Sequence, residues 1–363
     1  MNFLAKNFFK GKRVLITGHT GFKGAWLSLL LNKLGAHVSG YALNPPTIPN
    51  LYNLVYPEKF IESCIADISN FEELKRFIEK IQPEIIIHLA AQSLVKASYK
   101  DPRFTYQTNV MGTVNLLEAA RDINGIRVIL NVTTDKCYQN REWVWGYRED
   151  DVLGGHDPYS NSKACSELIT AAYRNAFFNA DEKDKNEIFV ATARSGNIFG
   201  GGDWSQDRLV PDFIRSMQME EDVVIRNPDS TRPWQFILDS LFGYLTLVEK
   251  LYTEGQDYAE SWNFGPGDSH NKTVGWIVDE LCKNWGGKAS YKIEGTHNEH
   301  EAKFLKLDSS KAKSRLDWSN VYSLEEGLNK TVEWYRSYLN GKNVRELCEF
   351  QIDEFIKIKN SIT

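Results

Sequence analysis

Residues 17–24 read TGHTGFKG, at the end of the apolar β-branched run VLIT (14–17) and at the start of a helical window over 23–34. Strand, glycine turn and helix in that order open a βαβ unit. The turn also leaves backbone amides at a helix start free to meet an anion. Gly18 allows the tight turn, Gly21 lets a pyrophosphate approach the backbone, and Gly24 lets the helix pack closely on the strand. A bare strand-to-helix turn is the competing explanation, and the two flanking elements weigh against it. The first two glycines are three positions apart rather than two, which separates the loop from the GxGxxG of ordinary two-domain dehydrogenases.

The same rhythm continues through the first half. Strands are expected at HVSGY (37–41), FIESCIAD (60–67), EIIIHLAA (84–91), RVILNVTT (127–134) and IFVATAR (188–194), with helices over 71–81, 102–120 and 157–177. This alternation predicts an α/β fold of Rossmann type, a doubly wound parallel sheet covered on both faces. The polar stretch NADEKDKNE (179–187) reads as a surface loop. Beyond residue 200 the rhythm breaks at GNIFGGGDW and at Pro211, Pro228, Pro233 and Pro266. The chain of 363 residues therefore divides into a dinucleotide-binding domain over 1–198, to which 233–260 returns, and a smaller mixed α/β substrate domain over 199–363. Helical windows at 324–339 and 344–358 close it.

Charge narrows the partners. Forty-three basic and 48 acidic residues are spread along the chain without a basic face, so nucleic acid is not expected and any anionic ligand must be met locally. The longest apolar runs, 26–31 and 85–91, fall far short of the ~20 residues of a spanning helix. No apolar leader precedes the first strand, so no secretory signal is expected. Five scattered cysteines without a CxxC pair suit a reducing compartment, so a cytoplasmic location is expected. HNEH (297–300) has too few ligands for a metal site, and none is expected.

Between Gly24 and Glu58 there is no Asp, Glu or Arg, so neither the acidic reader of an unmodified ribose nor the arginine for a 2′-phosphate is present. Asn44 can hydrogen-bond a ribose, but this segment does not decide between the two cofactors. Asp67, ending the third strand, can receive an adenine amino group or cap the next helix.

Tyr159 and Lys163, in PYSNSKACSE, lie at i and i+4 and so share one helix face. A tyrosine titrates near ~10, and a lysine ammonium within a few Å favours the phenolate. Such a pair can remove a hydroxyl proton while hydride leaves the same carbon. Thr133, Thr134, Asp135 and Lys136 follow RVILNV at the carboxyl end of a strand, where open α/β sheets place ligands. An adjacent carboxylate and amine there offer proton chemistry that simple alcohol oxidation does not need. The competing explanation is a solvated turn capped by Asp135.

TGHTGFKG, HLAAQ (88–92), TNVMGTVNLLEA (108–119), TTDK (133–136), YSNSK (159–163) and RSGNIFGGGDW (194–204) resemble the extended short-chain dehydrogenase/reductase superfamily. With RPWQFILD (232–239), WNFGP (262–266) and HEAKFLKLDSSKA (300–312), the resemblance narrows to its CDP-glucose 4,6-dehydratase branch, which has lysine after the aspartate of TTDK where most such dehydratases have glutamate. It implies NAD as a tightly held cofactor, CDP-glucose as substrate, a product used for bacterial dideoxy sugars, and a homodimer or homotetramer. Implied cofactor contacts are Gly18, Thr20, Gly21, Phe22, Lys23, Gly24, Asp67, Ile68, Leu89, Ala90, Ala91, Gln92, Asn109, Tyr159 and Lys163. Implied substrate contacts are Ser93, Thr134, Asn197, Arg208, Arg232 and Asn263.

In the chemistry this suggests, Tyr159, aided by Lys163 and Thr134, takes the C4 hydroxyl proton. Asp135 protonates the departing C6 hydroxyl. Lys136 is or assists the C5 base, or stabilises an enolate electrostatically. Arg232, with Arg208 as a second candidate, forks onto the diphosphate. A 4-epimerase would leave Asp135 and Lys136 idle, and a non-catalytic dinucleotide-binding regulator would have no need of the Tyr159–Lys163 pair.

Overall fold

The computed structural model describes residues 7–55, 61–178, 187–294 and 303–362. The expected surface loop at 179–187 and the HNEH segment lie almost wholly outside these. The first half runs β1 (Arg13–Thr17), α1 (Phe22–Lys33), β2 (His37–Ala42), α2 (Leu51–Val55), β3 (Glu62–Ile65), α3 (Phe71–Ile81), β4 (Ile85–His88) and α4 (Val95–Lys100). It continues with α5 (Pro102–Tyr106), α6 (Gly112–Arg121), β5 (Val128–Val132), α7 (Pro158–Phe177) and β6 (Phe189–Ser195). The second half comprises β7 (Asn197–Phe199), α8 (Leu209–Gln218), β8 (Val223–Ile225), β9 (Thr231–Phe236), α9 (Ile237–Glu254) and β10 (Ser261–Phe264). It closes with β11 (Asn271–Thr273), α10 (Val274–Trp285), β12 (Tyr291–Ile293), α11 (Ser310–Leu316), α12 (Leu324–Leu339) and α13 (Val344–Ile362).

Seven parallel strands form the main sheet in the order β10-β6-β5-β4-β1-β2-β3. The strand period of two separates two cores. Val14, Ile16, Ile85, Ile87, Val128 and Leu130 face one side with α1 and α9. Leu15, Ile86, Ile129 and Val190 face the other with α3 and α6. Burial on both faces is why β4, β5 and β6 are mostly apolar, and every position in them is buried. Helix α1 is buried from Gly24 to Leu31 because α9 and α13 also pack on it.

The expected helix over 102–120 is interrupted. A π turn over Gln107–Met111 joins α5 to α6, and it carries Asn109 towards the loop after β4. Past residue 196, β11-β9-β7 and β12-β8 form two small sheets under α8 and α10. The chain beyond Gly200 also contributes to the main body. Strand β10 extends the large sheet, α9 packs on β5 and β6, and α13 packs on α1 and α2.

Candidate active site

The strands β1, β4, β5 and β6 end at a single cleft of about 1350 Å³, walled on the far side by residues of α8, β8 and β9. Its floor is backbone. Gly18 has φ +77°, and a Cβ on it would lie 2.8 Å from the Ala90 nitrogen. A Cβ on Gly24 would lie 2.2 Å from the Gly18 oxygen. Neither position admits a side chain without moving the loop after β4 or the start of α1. Thr17 Oγ1 ties the two loops together, accepting from the Leu89 and Ala90 amides at 3.2 Å and sharing a 2.6 Å hydrogen bond with His88 Nδ1. Thr20 Oγ1 donates to the Leu43 carbonyl at 2.8 Å, fixing the turn to the end of β2.

Helix α7 is started by Pro158 at its first turn and by Asp157, whose carboxylate accepts from the Ser160 amide at 2.9 Å. One and two turns on, Tyr159 and Lys163 line the cleft beside Thr134. Burial pushes the Tyr159 phenol up to about 12, although a hydrogen bond with Thr134 opposes it. The expected lowering by Lys163 is not seen. Lys163 Nζ donates to the Val132 carbonyl at 3.2 Å, and burial lowers its own ammonium to about 8 against the pull of Glu167. Lys23, in the first turn of α1, also faces the cleft; burial and the nearby Arg208 and Lys163 bring it down to about 7.

Gly18, Thr20, Gly21, Phe22, Lys23, Gly24, Asp67, Ile68, Leu89, Ala90, Ala91, Ser93, Thr134, Lys136, Tyr159, Lys163, Asn197, Arg208 and Arg232 all line this cleft. Asp67 does not cap α3, a role taken by Asn70; its carboxylate accepts from the Ser69 amide at 2.8 Å. Lys136 Nζ lies 3.4 Å from Asn197 Oδ1 and 3.5 Å from Asp135 Oδ1. Arg208 Nη1 donates to Asp203 at 3.0 Å and Nη2 to Ser93 Oγ at 3.1 Å, so it spans the cleft. Burial alone would lower the Arg208 guanidinium, and the Asp203 carboxylate more than reverses this.

Four expected residues stand behind the wall instead. Asp135 is fully buried and accepts from Thr134 Oγ1 at 2.9 Å. Gln92 and Asn109 bond each other, the Asn109 side chain accepting from the Gln92 amide at 2.8 Å and donating to its carbonyl at 3.0 Å. Asn263 is fully buried, accepts from the Tyr138 hydroxyl at 2.7 Å and donates to the Tyr147 and Asp308 carbonyls. Asn109 and Asn263 are buried and Gln92 half-buried, and their hydrogen bonds hold the loops around the cleft. Sequence inspection missed the cleft residues Asn140, Arg141 and Glu142, and Asp203, the partner of Arg208. Only Asp203 carried a signal, as an acid five residues before the arginine.

The family model described as GDP-mannose 4,6 dehydratase matches residues 15–331. The chain belongs to that family. It is 49% identical over 97% of its length, and 98% of the relative's, to the CDP-glucose 4,6-dehydratase of Salmonella typhimurium. It is 27% identical over 88% of its length, and 92% of the relative's, to a dTDP-glucose 4,6-dehydratase of Xanthomonas campestris. Among solved structures it resembles a dTDP-glucose 4,6-dehydratase of Bacillus anthracis in complex with NAD, with TM-score 0.74, 22% identity, and coverage of 91% of this chain and 98% of that one. That likeness concerns the fold.

Proposed function

We propose that the protein converts CDP-D-glucose to CDP-4-dehydro-6-deoxy-D-glucose and water, with NAD restored at each turnover. The carrying observation is the 49% identity across nearly the whole chain to a CDP-glucose 4,6-dehydratase, in a chain whose cleft is lined by Lys136 and Tyr159.

The cleft suits NAD. Gly18 and Gly24 have no room for a Cβ and so hold the turn and the start of α1 tight, Gly21 adds no side chain over the turn's amides, and Asp67, Ile68 and Asn44 sit at the strand ends beyond it. When bound, NAD would supply the hydride acceptor and donor. Tyr159 takes the C4 hydroxyl proton through its contact with Thr134. Lys136 takes the proton at C5, made acidic by the C4 ketone. The C6 hydroxyl leaves as water with a proton from Asp135 relayed through Thr134, because the carboxylate itself does not reach the cleft, and Lys136 returns its proton to C5 as hydride is delivered to C6. Arg208 and Arg232 meet the diphosphate.

We propose further that the chain works in the cytoplasm as a homodimer or homotetramer, serving dideoxy-sugar synthesis. Tyr99, Phe104, Met111, Leu168 and Phe177, exposed on α4–α7 and the π turn, offer the apolar face. Sedimentation of the purified protein checks the assembly.

Incubation with CDP-, UDP-, dTDP- and GDP-hexoses, followed by mass, tests the activity. CDP-glucose should lose one water and the others should turn over poorly. Product of unchanged mass would point to an epimerase, and no turnover on any of them to a binding protein.

A further inference from the structure

Glu167 lies one turn beyond Lys163 on α7 and is fully buried without touching the cleft. Its carboxylate accepts from Thr133 Oγ1, from Thr192 Oγ1 at 2.7 Å, from Arg194 Nη2 at 2.9 Å and from Ser261 Oγ at 3.3 Å. One side chain thus joins α7 to the ends of β5, β6 and β10. Arg194 continues the link, donating through Nη1 to the Tyr138 hydroxyl at 2.7 Å and the Glu149 carbonyl at 2.8 Å. Buried charges are expensive unless paired and hydrogen-bonded, and Glu167 and Arg194 are both.

We propose that Glu167 is a positioning residue for the reaction, fixing the helix that carries Tyr159 and Lys163 against the end of β5, from which Thr133 and Thr134 follow. This role rests on the dehydratase activity proposed above. Burial would favour the protonated carboxyl, and Arg194 with the Thr133 and Thr192 hydroxyls reverses this, so Glu167 stays anionic. Around Lys163, Glu167 and Cys137 favour the ammonium, while His88 and Lys23 face it from β4 and α1. His88, lowered by burial to about 3, is neutral. Glu167 is therefore the anion that keeps Lys163 protonated at neutral pH.

The test compares pH profiles of kcat for CDP-glucose in the wild type, the neutral pair Glu167→Gln with Arg194→Gln, and Glu167→Asp. Removing the carboxylate lowers the folded pKa of Lys163, so its proton is lost earlier as pH rises. The alkaline limb of the neutral pair should move down by ~1 pH unit, a tenfold change in the ammonium equilibrium. Glu167→Asp keeps the charge, so its limb should hold while kcat falls. A lower kcat in the neutral pair with an unmoved limb overturns the proposal. If the pair does not fold, Glu167→Asp decides alone, since a limb displaced by ~1 unit with the charge present contradicts it. Wild-type turnover of CDP-glucose in the same assay keeps this outcome separate from failure of the activity itself.

Discussion

The two walls of the cleft are held by different physics. The floor, from Gly18 to Gly24 and the ends of β1 and β4, is made of backbone at contact distance and of hydrogen bonds accepted by Thr17 and donated by Thr20. The opposite wall stands on charged side chains: Arg208 with Asp203 and Ser93, and Lys96 with Asp207 at 2.6 Å. Steric fits of the first kind have one arrangement, whereas ion pairs near solvent can exchange partners for an incoming diphosphate. The rigid wall therefore suits a resident cofactor and the ionic wall a substrate that comes and goes.

Substitutions separate these roles. Tyr159→Phe removes the proton acceptor but no packing, so kcat should fall ~10²–10⁴-fold with cofactor affinity retained, as single-turnover cofactor reduction and titration would record. Gly24→Ala presses a methyl against the Gly18 carbonyl and should destabilise the fold by ~3 kcal/mol in urea unfolding. Cofactor binding should be lost with it. Stability unchanged in that variant would break the contrast between the walls. Arg208→Gln should leave stability nearly unchanged and weaken substrate binding by ~2 kcal/mol, read as a higher KM. Asp207→Asn, which loses the contacts to Lys96 and Arg226, should change stability by less than ~1 kcal/mol and only at low salt.

The same contrast explains what could be read from the sequence. The glycine turn and the Tyr159–Lys163 spacing are local, carried by eight or fewer consecutive residues, and each strand or helix of the βαβ alternation is read from its own run. Lys136 and Asp135 are neighbours in sequence, yet they part at the cleft wall because the short 3-10 turn Asp135–Cys137 sends one side chain outwards and the other in. Asn109 and Asn263 are ligand contacts only as the resemblance implies, and in the structure both are buried among protein partners. Their partners, Gln92 at one site and Tyr138, Tyr147 and Asp308 at the other, lie far along the chain. Arg194 gave a sign that went unused: an arginine at the end of the buried run IFVATAR needs a counter-ion, and Glu167 supplies it.

Internal redox at one cleft is tested most directly with CDP-glucose carrying deuterium at C4 of the sugar. After complete conversion with catalytic NAD, the product should have lost one water and carry the deuterium on its C6 methyl group, with no net reduced cofactor. Deuterium appearing in solvent, or remaining at C4 in a product of unchanged mass, would contradict the proposed dehydration.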